Sequence, residues 1–128
     1  MKAIINFLFE AGMLKKTPRT GYQFLGSGQE SVAEHTFRTA IIGYILSLEE
    51  KTDPHKTILM CLFHDLPEAR TGDHNYVNKN YVQIDEDKAV ADMSRDLYFG
   101  DVIRDLTREF NQGATPEARI SRDADQLD

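Results

Sequence analysis

The amino-acid sequence predicts an all-α fold, built as one domain of about five or six helices over residues 1–128. Three observations lead to this prediction. Apolar residues recur at three- and four-residue spacings, and no segment shows the strict alternation typical of a half-buried strand. Helix-starting residues precede several of these segments, and proline and glycine separate them. A chain of 128 residues is the size of a single domain and can bury a core without disulfides.

The first two helices are predicted on either side of a glycine-rich connector. Residues 2–14 carry apolar side chains at helical spacing, so a helix is expected there. Residues 15–28 contain a proline and three glycines, which exclude one continuous helix. Ser31 is predicted to cap a second helix that runs to about residue 50, because Glu34 three residues later completes a capping box.

The third helix is predicted from its two ends. Asp53 and Pro54 suit an N-cap and a first helical position. The helix is expected to end near residue 65, because Pro67 disfavours helical backbone in the residue before it. Its buried stripe is predicted to consist of four apolar side chains: Ile58, Leu59, Leu62 and Phe63.

The rest of the chain is predicted as a polar loop followed by three helices. The loop covers residues 72–80, and two helices over 85–99 and 101–111 are separated at Gly100. Thr115 with the proline after it starts the last helix. At about 1.5 Å per residue that helix reaches only about 20 Å by the end of the sequence, so we expect a C-terminally shortened domain.

Composition excludes several classes of function. The formal net charge of −6 argues against a broad basic surface for nucleic-acid polymers. No apolar run reaches the roughly 20 residues that a membrane span needs. The apolar N-terminal stretch is interrupted by Glu10 and lacks a cleavage site, so it does not suit a signal peptide. Cys61 is the only cysteine and cannot form an intrachain disulfide, which fits the cytoplasmic location we expect.

Four side chains are candidate ligands of one metal ion: His35, His64, Asp65 and Asp125. Consecutive helices joined by a short loop pack antiparallel, so the start of the second helix lies beside the end of the third and the two histidines can meet. A set of two imidazoles and two carboxylates suits Mn, Fe, Co, Ni or Zn better than Ca or Mg. Taken singly, each residue is more often an ordinary core or surface residue.

Four short segments carry a resemblance to a known family. They are Pro18-Arg19-Thr20-Gly21, Ser31 to His35 (SVAEH), Leu62 to Asp73 (LFHDLPEARTGD) and Arg122 to Leu127 (RDADQL). Together they resemble the HD superfamily of metal-dependent phosphohydrolases, and within it the 5′-deoxynucleotidases. The resemblance covers about residues 14–127 and implies an HD-type helical bundle.

The resemblance also implies a role for individual residues. The metal ligands of the family fall on the same four residues, His35, His64, Asp65 and Asp125. Asp123 is the alternative to the last of these; we choose Asp125 because a polar residue and a leucine follow it, as in the family.

Three further residues match positions that work on the substrate in the family. Glu68 is one helical turn after Asp65, where it could orient a water or act as general base. Asp73 could protonate the leaving alkoxide or hold a sugar hydroxyl, and Arg19 could bind phosphate oxygens. Alternatively, Glu68 has no catalytic role and is a surface acid paired with Arg70 or Arg122.

The function expected from these residues is metal-dependent hydrolysis of a nucleoside 5′-monophosphate. Tyr22 stands where the family often has tryptophan. An aromatic residue there could help to exclude a ribose 2′-hydroxyl, so the resemblance does not by itself imply a preference for deoxynucleotides. One alternative is a phosphohydrolase acting on a phosphodiester, a triphosphate or guanosine tetraphosphate. Another is a non-catalytic nucleotide-binding module that keeps its metal as a clamp. A homodimer is possible, because apolar residues lie on more than one face of the first helix.

Overall fold

The computed structural model describes all residues from 1 to 128, and its regular secondary structure is helical apart from one isolated β-bridge between Pro18 and Ser31. It contains six helices of nine residues or more and one single-turn helix, so the predicted all-α fold is confirmed. The helices are α1 (Lys2–Met13), α2 (Val32–Glu49), α3 (Pro54–Phe63), α4 (Glu68–Thr71), α5 (Glu86–Ser94), α6 (Gly100–Gln112) and α7 (Pro116–Leu127). Short 3₁₀ helices cover Thr20–Phe24 and Asn78–Asn80.

The predicted N-caps are confirmed by their hydrogen bonds. At the start of α2, Ser31 Oγ accepts the backbone N–H of Glu34 at 3.1 Å, and Glu34 Oε1 accepts that of Ser31 at 3.0 Å. The Asp53 carboxylate accepts a backbone N–H in the first turn of α3, and Thr115 Oγ1 does so in α7. These local bonds set the starting points of the three helices that carry the candidate ligands.

Helices α2, α3 and α7 pack against one another, and small side chains let them come close. Gly43 of α2 lies against Cys61 of α3 and Ala124 of α7, and all three are buried. The predicted buried stripe of α3 is corrected in part. Leu59 and Phe63 are half-buried and pack against the core, but Leu62 is exposed, and the fully buried residues of the helix are Thr57, Met60 and Cys61. The face that meets two neighbouring helices carries small and polar residues, so hydrophobicity alone did not identify it.

The segment predicted as one helix over 85–99 ends at Ser94, which is also a correction. The chain turns there, and α6 begins at Gly100. A Cβ atom on residue 100 would collide with the carbonyl oxygen of Ser94 and approach Arg104 Nη1 at 3.1 Å. The glycine therefore permits a close return of the chain, in which α6 starts against the last turn of α5.

Helix α1 buries one face and leaves another apolar face exposed. Ile4 and Phe7 pack against the largest cluster of buried apolar side chains, whereas Leu8, Phe9 and Met13 are exposed. That cluster consists of Leu14, Val32, Leu66, Val90, Met93, Leu97 and Ile103. Whether a second copy covers this face remains a prediction. None of the helices combines the length and the apolar character that crossing a membrane requires.

Candidate metal centre

The four candidate ligands meet at one point, where the first turn of α2, the end of α3 and the last turn of α7 come together. One ligand atom from each of His35, His64, Asp65 and Asp125 lies within 4.8 Å of the other three. His35 Nε2 is 2.7 Å from Asp125 Oδ1, and His64 Nε2 is 3.3 Å from the same oxygen. Asp65 Oδ2 lies 3.1 Å from His64 Nε2 and 3.6 Å from His35 Nε2.

The end of α3 explains how adjacent residues His64 and Asp65 both face this point. The helix ends at Phe63, and the following residues form a turn before α4. In a continuous helix two successive side chains would point about 100° apart. The turn removes that restriction, as expected from the proline at position 67.

Each histidine also makes a hydrogen bond through Nδ1, on the side away from the other ligands. His64 Nδ1 donates to the backbone carbonyl of Cys61 at 2.6 Å, since a carbonyl oxygen can only accept. His35 Nδ1 lies 2.7 Å from Oδ2 of Asp128. Both rings are therefore held with Nε2 towards the centre, which is the usual arrangement of histidines that bind a metal.

The charges of the four ligands are coupled. Burial alone would lower the pKa of His64, but its hydrogen bonds to Asp125 and Asp65 raise the pKa well above its ordinary value. The same opposition raises the pKa of His35, where the partners are Asp125 and Asp128. The pKa of Asp125 is lowered: burial acts to raise it, but hydrogen bonds from the two histidines outweigh that effect.

These contacts fit a divalent transition metal. With Nδ1 of His64 already a donor, the short Nε2 contacts to carboxylate oxygens require a second proton on the ring or a cation in its place. A metal ion at this position would replace that proton and satisfy both carboxylates. Two imidazole nitrogens and two carboxylate oxygens form the mixed donor set that such metals accept.

The choice between Asp123 and Asp125 follows from their positions on α7. Asp125 belongs to the cluster, whereas Asp123 is exposed to solvent. Two residues along a helix correspond to a rotation of about 200°, so the two acids lie on nearly opposite faces. The sequence-based choice of Asp125 agrees with this geometry.

Glu68 lies at the start of α4, next to the four ligands. Burial, the nearby charge of Asp65 and a hydrogen bond with Asp73 raise the pKa of Glu68 to about 10. Its Oε2 atom is buried and has no hydrogen-bond partner. The alternative pairings are absent: Arg70 pairs with Glu10, and Arg122 donates to backbone carbonyls. Glu68 is thus a buried acid with one oxygen free for a ligand.

Asp73 and Arg19 belong to two loops that are tied together. Asp73 Oδ2 accepts the backbone N–H of Thr20 at 2.8 Å, so this acid holds the segment that carries Arg19. Arg19 N–H in turn donates to the carbonyl of Glu30 at 2.8 Å, just before α2. Its guanidinium charge acts to lower the pKa of His35, against the stronger raising effect of the two aspartates. Tyr22 lines the same surface cavity as Arg19.

Three residues near the centre were missed by the sequence analysis. A cavity of about 140 Å³ is lined by His64, Asp65 and Glu68, and also by His74 and Lys79. Lys79 is the one lysine or arginine in this lining. His74 and Lys79 are two of the missed residues, and the third is Asp128, which contacts His35. No spacing rule pointed to these residues, because loop and helix ends bring them to the centre from separate parts of the chain.

Comparisons with known proteins show the family to which the chain belongs. Residues 11–128 match the HD domain family. The 5′-deoxynucleotidase hdd1 of Schizosaccharomyces pombe is 27% identical over 98% of this chain and 68% of its own length. The 5′-deoxynucleotidase HDDC2 of Dictyostelium discoideum is 31% identical over the whole chain and 74% of its own length. A crystal structure of a Pyrococcus horikoshii OT3 protein superposes with a TM-score of 0.81 at 32% identity, covering 96% of this chain and 72% of that one.

The chain therefore belongs to the HD domain family of metal-dependent phosphohydrolases. Within the family, its resemblance to the 5′-deoxynucleotidase subgroup is confirmed by the relatives of that name. The chain spans about two-thirds to three-quarters of the length of these relatives.

Proposed function

We propose that the protein hydrolyses nucleoside 5′-monophosphates, including deoxynucleotides, to nucleoside and inorganic phosphate. The convergence of two histidines and two aspartates beside a buried, partly unpartnered glutamate carries this proposal. His35, His64, Asp65 and Asp125 would hold one Mn, Co, Zn, Fe or Ni ion. When bound, such an ion supplies Lewis-acid chemistry, which activates water and stabilises negative charge on a phosphoryl group.

Glu68 is proposed to hold the attacking water and accept its proton. The Oε2 atom is buried and has no hydrogen-bond partner, so it offers a free acceptor for the water. Burial raises the pKa of Glu68, and the neighbouring carboxylates of Asp65 and Asp73 raise it further, because they disfavour a third negative charge. A divalent cation next to it would reverse that effect and leave the carboxylate ionised, which is the form a general base requires.

Arg19 is proposed to bind the phosphate group of the substrate. The backbone of Arg19 is held next to the start of α2 by the antiparallel pairing of its loop with the segment before that helix. Its side chain is 28% exposed and lies 4.0 Å from Glu30, a distance that leaves its donors open to a ligand. A guanidinium binds two phosphate oxygens at once, which would orient phosphorus for in-line attack.

Asp73 is proposed to act on the nucleoside side of the site, with a hydroxyl of the sugar or the leaving oxygen as its partner. One of its oxygens holds Thr20, and this couples its position to that of Arg19. Tyr22 lies in the same cavity as Arg19, so we propose that it contacts the sugar.

Phosphate release from a panel of deoxy- and ribonucleoside monophosphates tests the proposal. Metal-free protein is reloaded separately with Mn, Co or Zn, and release is expected only after reloading. His64→Ala should abolish release, whereas the control His55→Ala should not, because His55 is an exposed histidine in the first turn of α3. Equal activity of the two variants would rule out the proposed centre.

The same panel separates the competing functions. Release from phosphodiesters or triphosphates, but from no monophosphate, would assign the substrate class differently. Metal binding that raises the melting temperature without turnover of any nucleotide would favour the non-catalytic clamp. The ratio of deoxy- to ribonucleotide hydrolysis measures what Tyr22 contributes to sugar selection.

A further inference from the structure

The carboxylate of Asp128 contacts the ring nitrogen of His35 that faces away from the metal centre. His35 is fully buried, and the Asp128 side chain is 1% exposed. The Nδ1–Oδ2 distance of 2.7 Å is that of a strong, charge-assisted hydrogen bond. A carboxylate buried this completely is unfavourable unless charged or hydrogen-bonding partners compensate it, and the partners here are the ring of His35 and, on the other side, Arg38.

The geometry of α7 explains why one helix supplies both contacts. Asp125 and Asp128 are three residues apart, so their side chains lie on the same face, one turn from each other. Asp125 Oδ1 meets His35 Nε2, and Asp128 Oδ2 meets Nδ1 of the same ring, each at 2.7 Å. The imidazole is thus held at both nitrogens by one helix face.

A third residue holds Asp128 from the other side. Arg38 Nε lies 2.8 Å from Asp128 Oδ1 in an ion pair that does not have the alignment of a hydrogen bond, and Arg38 is three residues after His35 on α2. The guanidinium neutralises the carboxylate and leaves Oδ2 directed to the imidazole. His64 has a different partner at Nδ1, the backbone carbonyl of Cys61, which a side-chain substitution cannot remove.

We propose that Asp128 is a positioning residue for the metal centre, with Arg38 as its anchor. It accepts the Nδ1 proton of His35, which keeps the Nε2 lone pair directed to the ion, and its negative charge makes the imidazole a stronger donor. This inference rests on the proposed metal centre but not on the substrate. It predicts that Asp128 acts on metal affinity, although it does not touch the ion itself.

The test is metal affinity in Asp128→Ala, measured by competition with a chelating indicator for Zn²⁺ and for Co²⁺. Loss of the outer partner of a metal-binding histidine typically weakens affinity by about 10- to 100-fold. Asp123→Ala is the matched control, since it removes the same charge from an exposed position on the same helix. Affinity of this control should stay within about 2-fold of the wild type. Equal losses in the two variants would overturn the proposal, because charge alone would then explain them.

Nitrogen-15 NMR of the Zn²⁺-loaded protein gives a readout independent of affinity. Two hydrogen-bonded Nδ1–H protons are expected, one on His35 and one on His64. Asp128→Ala should remove or strongly shift the first and leave the second, whose partner is a backbone carbonyl, as an internal reference. A His35 signal that does not move in the variant would overturn the proposal.

Arg38→Gln covers the case in which Asp128→Ala does not fold. Arg38 is exposed, so the fold should tolerate its replacement. Arg38→Gln should weaken metal binding, but less than Asp128→Ala does. Unchanged affinity in Arg38→Gln would remove Arg38 from the proposal. The proposed function and this inference can fail separately. If the wild type binds metal but hydrolyses no nucleotide, and Asp128→Ala binds the metal more weakly, the proposed function is refuted and this inference stands.

Discussion

Gly43 lies where α2 meets the two other helices that carry the metal-centre residues. A Cβ atom built on it would lie 2.8 Å from Sγ of Cys61 and 3.3 Å from Cγ2 of Thr57. Both neighbours are fully buried, so neither can move into solvent to make room. Gly43→Ala should therefore push α2 away from α3.

The size of the effect is the balance of two opposing terms. Overpacking a buried site by one methyl group costs about 1–3 kcal/mol. Alanine gains about 1 kcal/mol over glycine in a helix interior. The net destabilisation is about 1 kcal/mol, which lowers the melting temperature by about 3–6 °C in a domain of this size. Gly43→Val adds more atoms and loses the helix-propensity gain, so its cost should exceed that of alanine.

Urea unfolding and thermal melting of the variants measure this balance. Gly12→Ala in α1 is the matched control, since its Cβ would approach only the flexible end of Lys15, at 4.0 Å. That control should be stabilised by up to about 1 kcal/mol. In the double variant Gly43→Ala/Cys61→Ala, removal of Sγ should relieve part of the loss. If Gly43→Ala is stabilised as much as Gly12→Ala, the close approach of α2 and α3 is refuted.

Three further predictions concern pH, the loops and a helix cap. His35, His64 and Glu68 all have pKa values that are raised in the folded protein. Each of them binds its proton more tightly in the folded than in the unfolded chain, so the stability that its protonated form contributes to the metal-free protein is lost as the pH rises. The melting temperature of metal-free protein should therefore fall between pH 6 and pH 9, and added Zn²⁺ should diminish the fall; a rise would contradict the assigned charges. Asp73→Ala should raise KM for nucleotides and speed proteolysis of the Arg19 loop, because Thr20 loses its acceptor; a loss confined to kcat would instead place Asp73 in the chemical step. Thr115→Ala removes the cap of α7 and should cost about 1 kcal/mol in urea unfolding; unchanged stability would mean that this hydrogen bond is not formed.

Features that depend on neighbouring residues in the chain were predictable from sequence. The capping residues at the starts of α2, α3 and α7 use side-chain to backbone bonds only three residues apart, so the residue pattern contains the whole interaction. The end of α3 near Pro67 was predictable for the same reason. The order of the histidine and aspartate motifs indicated the four candidate ligands, and the structure brings these four together.

Features that depend on distant parts of the chain were not predictable. The side of α3 that faces Gly43 was missed, because Gly43 and Ala124 come close there and leave room for Thr57 and Cys61 rather than for large apolar residues. The early end of α5 depends on the contact of Gly100 with the carbonyl of Ser94, across a turn that no local pattern marked.

The sequence by itself determined that the chain is helical, where most helices begin, and which side chains are available to bind a metal. Only the tertiary structure decided how these side chains are held. The hydrogen bond between Asp73 and Thr20 spans 53 residues, and that between His35 and Asp128 spans 93. Contacts over such separations depend on how the helices pack, and local propensities carry no record of that packing.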